Sequence, residues 1–129
     1  MARMKIDIET RKDIESLVNH FYDKVKDDAV IGFIFNDIVQ VDWKHHLPIM
    51  YDFWENIIFN TGGYTGNPMK IHQQLNQVVP LSTEHFREWL HLFIATVNEL
   101  FEGGKAELAK QRATSISTMM QLKFTHKTF

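Results

Sequence analysis

Residues 43–54 read WKHHLPIMYDFW. Two adjacent histidines stand among aromatic and sulfur-bearing side chains, and a proline follows two places after the second. Neighbours on one face of a helix lie three, four or seven residues apart. Counted from His46, that spacing reaches Met50, Phe53, Trp54 and Ile57, an apolar stripe with one imidazole at its N-terminal end. His45 starts from a different face, beside Lys44 and Asp52, and is expected to be solvated. Pro48 is the misfit. Inside a helix it removes one backbone hydrogen bond and crowds the carbonyl of Lys44, which costs about 3 kcal/mol. The stretch therefore predicts a helix that starts irregularly over WKHHL and becomes regular after Pro48.

Working outward, apolar residues recur at helical spacing almost everywhere. Ile14, Leu17, Phe21 and Val25 make one stripe of a first helix, roughly 9–27. The turn-rich IGFIFNDIVQ follows, and Asp42 can cap the helix of the quoted stretch, which runs to about Asn60. TGGYTGNP stops it, and Pro68 opens a short helix carrying Met69, His72 and Leu75. Ser82 or Thr83 caps a long helix with Phe86, Trp89, Leu90, Phe93, Ile94, Val97 and Leu100 on one side, ended by Gly103-Gly104. A last helix, about 105–124, places Leu108, Ala109, Arg112, Ala113, Ile116, Met119 and Met120 on one face. No stretch alternates with period two. The chain reads as all-α, with five or six helices.

The bulk numbers narrow the function. A length of 129 residues fits one domain able to bury a real core. A net charge of −2 offers no broad attraction to nucleic acid or to an anionic membrane. With no cysteine there is no disulfide, thiol nucleophile, iron–sulfur ligation or thiolate zinc site. The opening MARMKIDIETRKDIE lacks a long apolar run and is read as neither signal peptide nor membrane span. Ten Phe, three Trp, six Met and seven His are more aromatic, sulfur and imidazole groups than a small core requires.

His72 lies one helical turn after Pro68 and Met69, with Leu75 three further on, so it too points into an apolar groove. Each histidine taken singly reads more readily as a core residue with a backbone hydrogen bond. Two from different helices, both among aromatics, point to a ligand role, because neutral imidazole suits iron. A bare metal site lacks its other ligands: there is no HEXXH, no histidine pair at i,i+4 and no carboxylate cluster on these faces. One axial imidazole with apolar walls is the requirement of a haem, whose porphyrin supplies four nitrogens. Tyr22, next to Phe21, and Trp89, on the longest helix, are the polar groups able to reach a ligand on the open side of iron. The alternative is a haem-free helical bundle, a sensor or interaction module, with these residues as ordinary core.

FYDKV at 21–25, IFN at 34–36, WKHHLPIMYDFW at 43–54, YTGNPMKIH at 64–72 and FREWLHLF at 86–93 jointly resemble the truncated haemoglobins, most closely their third group. The match covers nearly the whole chain, and the glycine-rich motifs of the first two groups are absent, as the third group requires. The resemblance implies a single globin domain over 1–129, with about 1–8 as an N-terminal extension and 125–129 as a tail. It implies a two-on-two helical sandwich around haem b. Carried over by position, His72 is the proximal iron ligand, and Tyr22 and Trp89 are distal hydrogen-bond donors. His46 takes the distal-histidine place and Met50 sits over the haem. Phe35, Phe53, Trp54, Met69 and Phe93 look like haem packing, and Lys44 and Lys70 are the basic residues near enough in sequence to meet propionates. The resemblance further implies binding of dioxygen, nitric oxide or carbon monoxide, with nitric oxide dioxygenase or peroxidase-like chemistry and an unidentified reductase as extensions. A cytoplasmic monomer with no nucleic-acid or membrane partner completes the expectation.

Overall fold

A computed structural model describes residues 5–38, 42–61 and 81–124. Among them are α1 (Arg11–Asp27), a π-turn (Ile34–Ile38), α2 (Trp43–Phe59), α3 (Thr83–Leu100) and α4 (Gly104–Phe124), and no strand. The expected loop TGGYTGNP, apart from Thr61, and the short helix with Met69, Lys70, His72 and Leu75 lie outside the described residues.

α1 starts where its sequence supplies a reciprocal cap. Thr10 Oγ1 accepts from the Asp13 amide, and an Asp13 carboxylate oxygen accepts from the Thr10 amide, at 3.3 and 3.0 Å. Two otherwise orphaned donors are thereby satisfied, and the start falls two residues later than expected. Ile14, Leu17, Phe21 and Val25 are all buried, with Val18 and Tyr22 beside them. Each such side chain contributes about 1.5–3 kcal/mol of burial. After the helix, the Asp28 carboxylate accepts from the amides of Val30 and Ile31 at 2.9 and 3.0 Å and turns the chain. Gly32 then passes so close to α1 that a Cβ there would sit 2.9 Å from the Lys26 carbonyl oxygen.

α2 departs from expectation at its start. It is helical from Trp43, with the His45 and His46 amides donating to the main-chain carbonyl of Asp42 at 3.1 and 2.9 Å, while the Asp42 side chain makes no cap bond. Pro48 lies inside the helix, and its ring is exposed. The irregular turn expected over WKHHL is absent because proline's fixed φ is helical, so only the donor to the Lys44 carbonyl is lost. Aromatic contacts from Trp43 and His46 to α1 hold the first turn in place. Asn60 ends the helix in the left-handed region, at φ 57° and ψ 46°.

Ser82, not Thr83, caps α3. Its hydroxyl accepts from the His85 amide at 3.3 Å, and His85 Nδ1 accepts from the Ser82 amide at 3.1 Å. α3 stops at Leu100, before the glycine pair. Gly103 takes φ +145°, where a Cβ would lie 2.5 Å from the Asp7 side chain, and Gly104 opens α4. Asp7 is there for a reason: its carboxylate accepts from the Lys105 and Ala106 amides, both at 2.8 Å, and so caps α4 from the far end of the chain. The buried Ile8 anchors that segment. The inner face of α4 is Ala106, Ala109, Ala113, Ser117 and Met120, whereas Arg112 and Met119, expected inside, point outward. Small residues let α4 approach α3 closely enough for the buried Ser117 hydroxyl to donate to the Phe86 carbonyl at 3.3 Å.

The helices pack as a ring: α1 touches α2 and α3, and α4 touches α3 and α2. No Cα of α2 comes within 8 Å of one of α3. Ion pairs mark two of the seams, Arg11 with Asp52 and Glu55 at 2.8 and 3.0 Å, and Lys24 with Glu99 at 2.6 Å. Exposed pairs of this kind contribute about 0–1 kcal/mol, so burial between the helices dominates. Among the described residues no helix is long and apolar enough to cross a membrane.

Candidate functional site

The parting of α2 from α3 is where the sequence-predicted residues collect. Met50 and Phe53 on α2, and Trp89 and Leu90 on α3, are half-buried, packed against the core without being sealed by it. The two helices meet through side chains: Trp54 stacks on Phe93 with centroids 4.5 Å apart and planes at 20°. Trp89 also stacks on Phe93, 5.9 Å away at 13°, and meets Phe21 edge-on at 5.8 Å. Phe93 is fully enclosed and Trp54 nearly so, while Phe35 is half-buried.

The polar groups stand at one end of this apolar set. Tyr22 is 7% exposed, and its hydroxyl reaches Nε2 of His46 at 3.4 Å. Among the described residues that is the hydroxyl's hydrogen-bond partner. Burial pushes the Tyr22 hydroxyl above its ordinary pKa, so it keeps its proton and stays a donor. The 3.4 Å contact has two senses. If the hydroxyl donates to His46, its proton is occupied; if His46 donates, the Tyr22 proton is free for another acceptor. His46 is half-buried and His45 exposed, as the helical count requires. Trp89 carries the other donor, and its indole N–H meets no acceptor among the described residues. A half-buried donor of this kind normally finds one.

Sequence reasoning passed over Trp43. Its ring lies 4.9 Å from Tyr22, 5.9 Å from His46 and 6.1 Å from Phe35, on which it stacks at 26°. The available signal was its spacing three residues before His46, on the same face; counting only forward from the histidine missed it. Met69, Lys70 and His72 lie outside the described residues, and Lys44 is exposed.

No family model matches the chain. It is similar to the group 3 truncated hemoglobin ctb of Campylobacter jejuni, 31% identical over 121 residues that span 92% of this chain and 93% of that protein. The crystal structure of the group III truncated hemoglobin from Campylobacter jejuni superposes with a TM-score of 0.80 at 31% identity, covering 94% of this chain and 95% of that one. The chain belongs to the group 3 truncated haemoglobins. As a truncated haemoglobin it is a haem-binding globin, and the residues between α2 and α3 fit that group. They offer apolar and aromatic surfaces for a flat macrocycle, helices whose backbones stand apart, and two donor-bearing rings, Tyr22 and Trp89, that both touch Phe21. Haem has polar needs only at its iron and its propionates, so an apolar wall with few donors suits it.

Proposed function

We propose that this truncated haemoglobin binds haem b, that His72 would ligate its iron, and that dioxygen, carbon monoxide or nitric oxide would be held beside Tyr22 and Trp89. The observation that carries the reading is a buried Tyr22 hydroxyl and a Trp89 indole N–H without an acceptor among the described residues, both rings against Phe21 and beside half-buried apolar side chains. When bound, haem supplies a ferrous iron able to take a diatomic ligand and pass electron density to it. Tyr22 and Trp89 would donate to such a ligand. A hydrogen bond to a charged acceptor contributes about 1.5–3 kcal/mol, more than a neutral one. His46, in hydrogen-bond reach of Tyr22, sets whether the tyrosine proton is free and stands at the distal entrance. Met50, Phe53, Trp54, Met69 and Phe93, with Phe35, form or back the apolar walls that exclude water. The second ring nitrogen of His72 would donate to a main-chain acceptor, as iron-ligating imidazoles generally do.

Strong retention of dioxygen argues against simple transport and suits chemistry on the held ligand: conversion of nitric oxide to nitrate, or peroxidase-like turnover. The first would call on an unidentified reductase to restore ferrous haem, and the second on a peroxide and an electron donor. The competing reading, a haem-free sensor or interaction module, is favoured by no observation among the described residues. An absorption spectrum of the haem-reconstituted protein, oxidised, reduced, and reduced with carbon monoxide, decides between them. A sharp Soret band that moves with carbon monoxide, and is lost or reshaped in His72→Ala, is the expected result. Failure to take up haem overturns the reading, and a wild-type spectrum from the His72 variant removes that residue from the iron.

A further inference from the structure

We infer that Trp43 is a positioning residue, whose indole holds the Tyr22 hydroxyl and the His46 imidazole in the arrangement from which Tyr22 donates to a ligand. The inference rests on the proposed role of Tyr22 and extends it to a side chain outside the set that sequence spacing singled out. Trp43 is the first residue of α2, and its ring touches both members of the hydrogen-bonded pair. It is tilted 57° to the Tyr22 ring and nearly edge-on, at 74°, to His46. Rotation of either ring about its χ2 would therefore drive it into the indole. The indole is itself held from two further directions. Phe35 of the π-turn stacks on it, and the Lys26 ammonium of α1 lies 4.5 Å from its centroid. The backbone beside Lys26 is fixed in turn, because Asn36 Nδ2 donates to the Lys26 carbonyl at 2.7 Å.

The backbone explains why a side chain must do this. The first turn of α2 lacks a side-chain cap bond from Asp42, and Pro48 withholds the donor due to the Lys44 carbonyl. The turn that carries His46 keeps the His45 and His46 amide bonds to the Asp42 carbonyl but lacks these two, so ring contacts add to its placement. An imidazole and a hydroxyl 3.4 Å apart need little displacement to lose alignment.

The test uses the haem-loaded protein with Trp43→Leu, Trp43→Phe, Tyr22→Phe and the Tyr22→Phe/Trp43→Leu pair. Two quantities are read: the stretching frequency of bound carbon monoxide, which reports the hydrogen bond it receives, and the dioxygen dissociation rate. A nuclear Overhauser effect between the Tyr22 and His46 rings, in the carbon monoxide-bound protein, reports their contact directly. Trp43→Leu is expected to move the stretch toward the Tyr22→Phe value, weaken the ring-to-ring effect and speed dioxygen release by about threefold. Trp43→Phe should fall between wild type and the leucine variant. In the Tyr22→Phe background the leucine substitution should add nothing, since the group it positions is gone. Unchanged readouts in Trp43→Leu, or an equal shift with and without the Tyr22 hydroxyl, overturn the inference. If Tyr22→Phe alone changes neither readout, the donor role of Tyr22 fails and the inference falls with it. If the leucine variant does not retain haem, the phenylalanine variant decides, and an unaltered stretching band there overturns the inference.

Discussion

At the scale of single residues, the molecule turns on which side chains face the parting between α2 and α3. Counting by three, four and seven from His46 was enough to place His46 inward and His45 outward. The same spacing put Tyr22 at the core edge, and its burial now explains why it stays protonated. Trp43 was legible by the same spacing, three residues before His46, but a count running only forward from the histidine passes it by. Tyr22→Phe is the informative substitution here. It leaves the ring against Phe21 and Trp43 and removes only the hydroxyl. It should speed dioxygen dissociation roughly tenfold, the equivalent of about 1.4 kcal/mol. Stopped-flow displacement with carbon monoxide measures it, and an unchanged rate would take Tyr22 out of ligand stabilisation.

At the scale of elements, legibility followed hydropathy. α1 and α3 carry large apolar residues on one side, and their buried faces were largely readable, though the fully buried Thr96 of α3 was missed because its hydroxyl is satisfied by the Leu92 carbonyl within the helix. α4 buries Ala106, Ala109, Ala113 and Ser117, which barely differ in hydropathy from an exposed face, so Arg112 and Met119 were misplaced. Its cap could not be read locally at all, since Asp7 supplies it from outside the helix. α2 shows the opposite error, too much weight on one residue. Pro48 was expected to defer the helix, yet the chain accepts the lost bond. Pro48→Ala should therefore stabilise the protein, by about 1–2 kcal/mol after allowing for the greater freedom alanine gives the unfolded chain. Thermal unfolding followed by circular dichroism is the check. A midpoint that stays the same or falls would show that the Lys44 carbonyl loses nothing by lacking the amide.

At the scale of the whole molecule, the ring of contacts that leaves α2 and α3 apart was carried by the family resemblance, not by any helix's own pattern. Its closure depends on Asp7. Burial alone would raise the Asp7 pKa, but the amides of Lys105, Ala106 and Ile8 and the charge of Lys105 outweigh it and hold the carboxyl below its ordinary value. With the folded pKa below the unfolded one, the stabilisation is complete above about pH 4 and is lost as pH falls through the folded value. Asp7→Asn should cost about 1 kcal/mol at neutral pH and progressively less in acid. Denaturant midpoints of the two proteins from pH 7 down to pH 3 test this. A gap that does not narrow would mean that the amides use the shape of the side chain and not its charge.

The same contact bears on the lifetime of the folded state. Asp7 and the amide of Lys105 are 98 residues apart. Closing a loop of that length costs on the order of 4 kcal/mol in chain entropy, so the carboxylate docks after the helices between have gathered. A contact formed late slows escape from the native basin and leaves the rate of arrival unchanged. The start of α4 is thus a clasp, closed by a residue near the opposite end of the described chain, and weakening it is expected to speed unfolding.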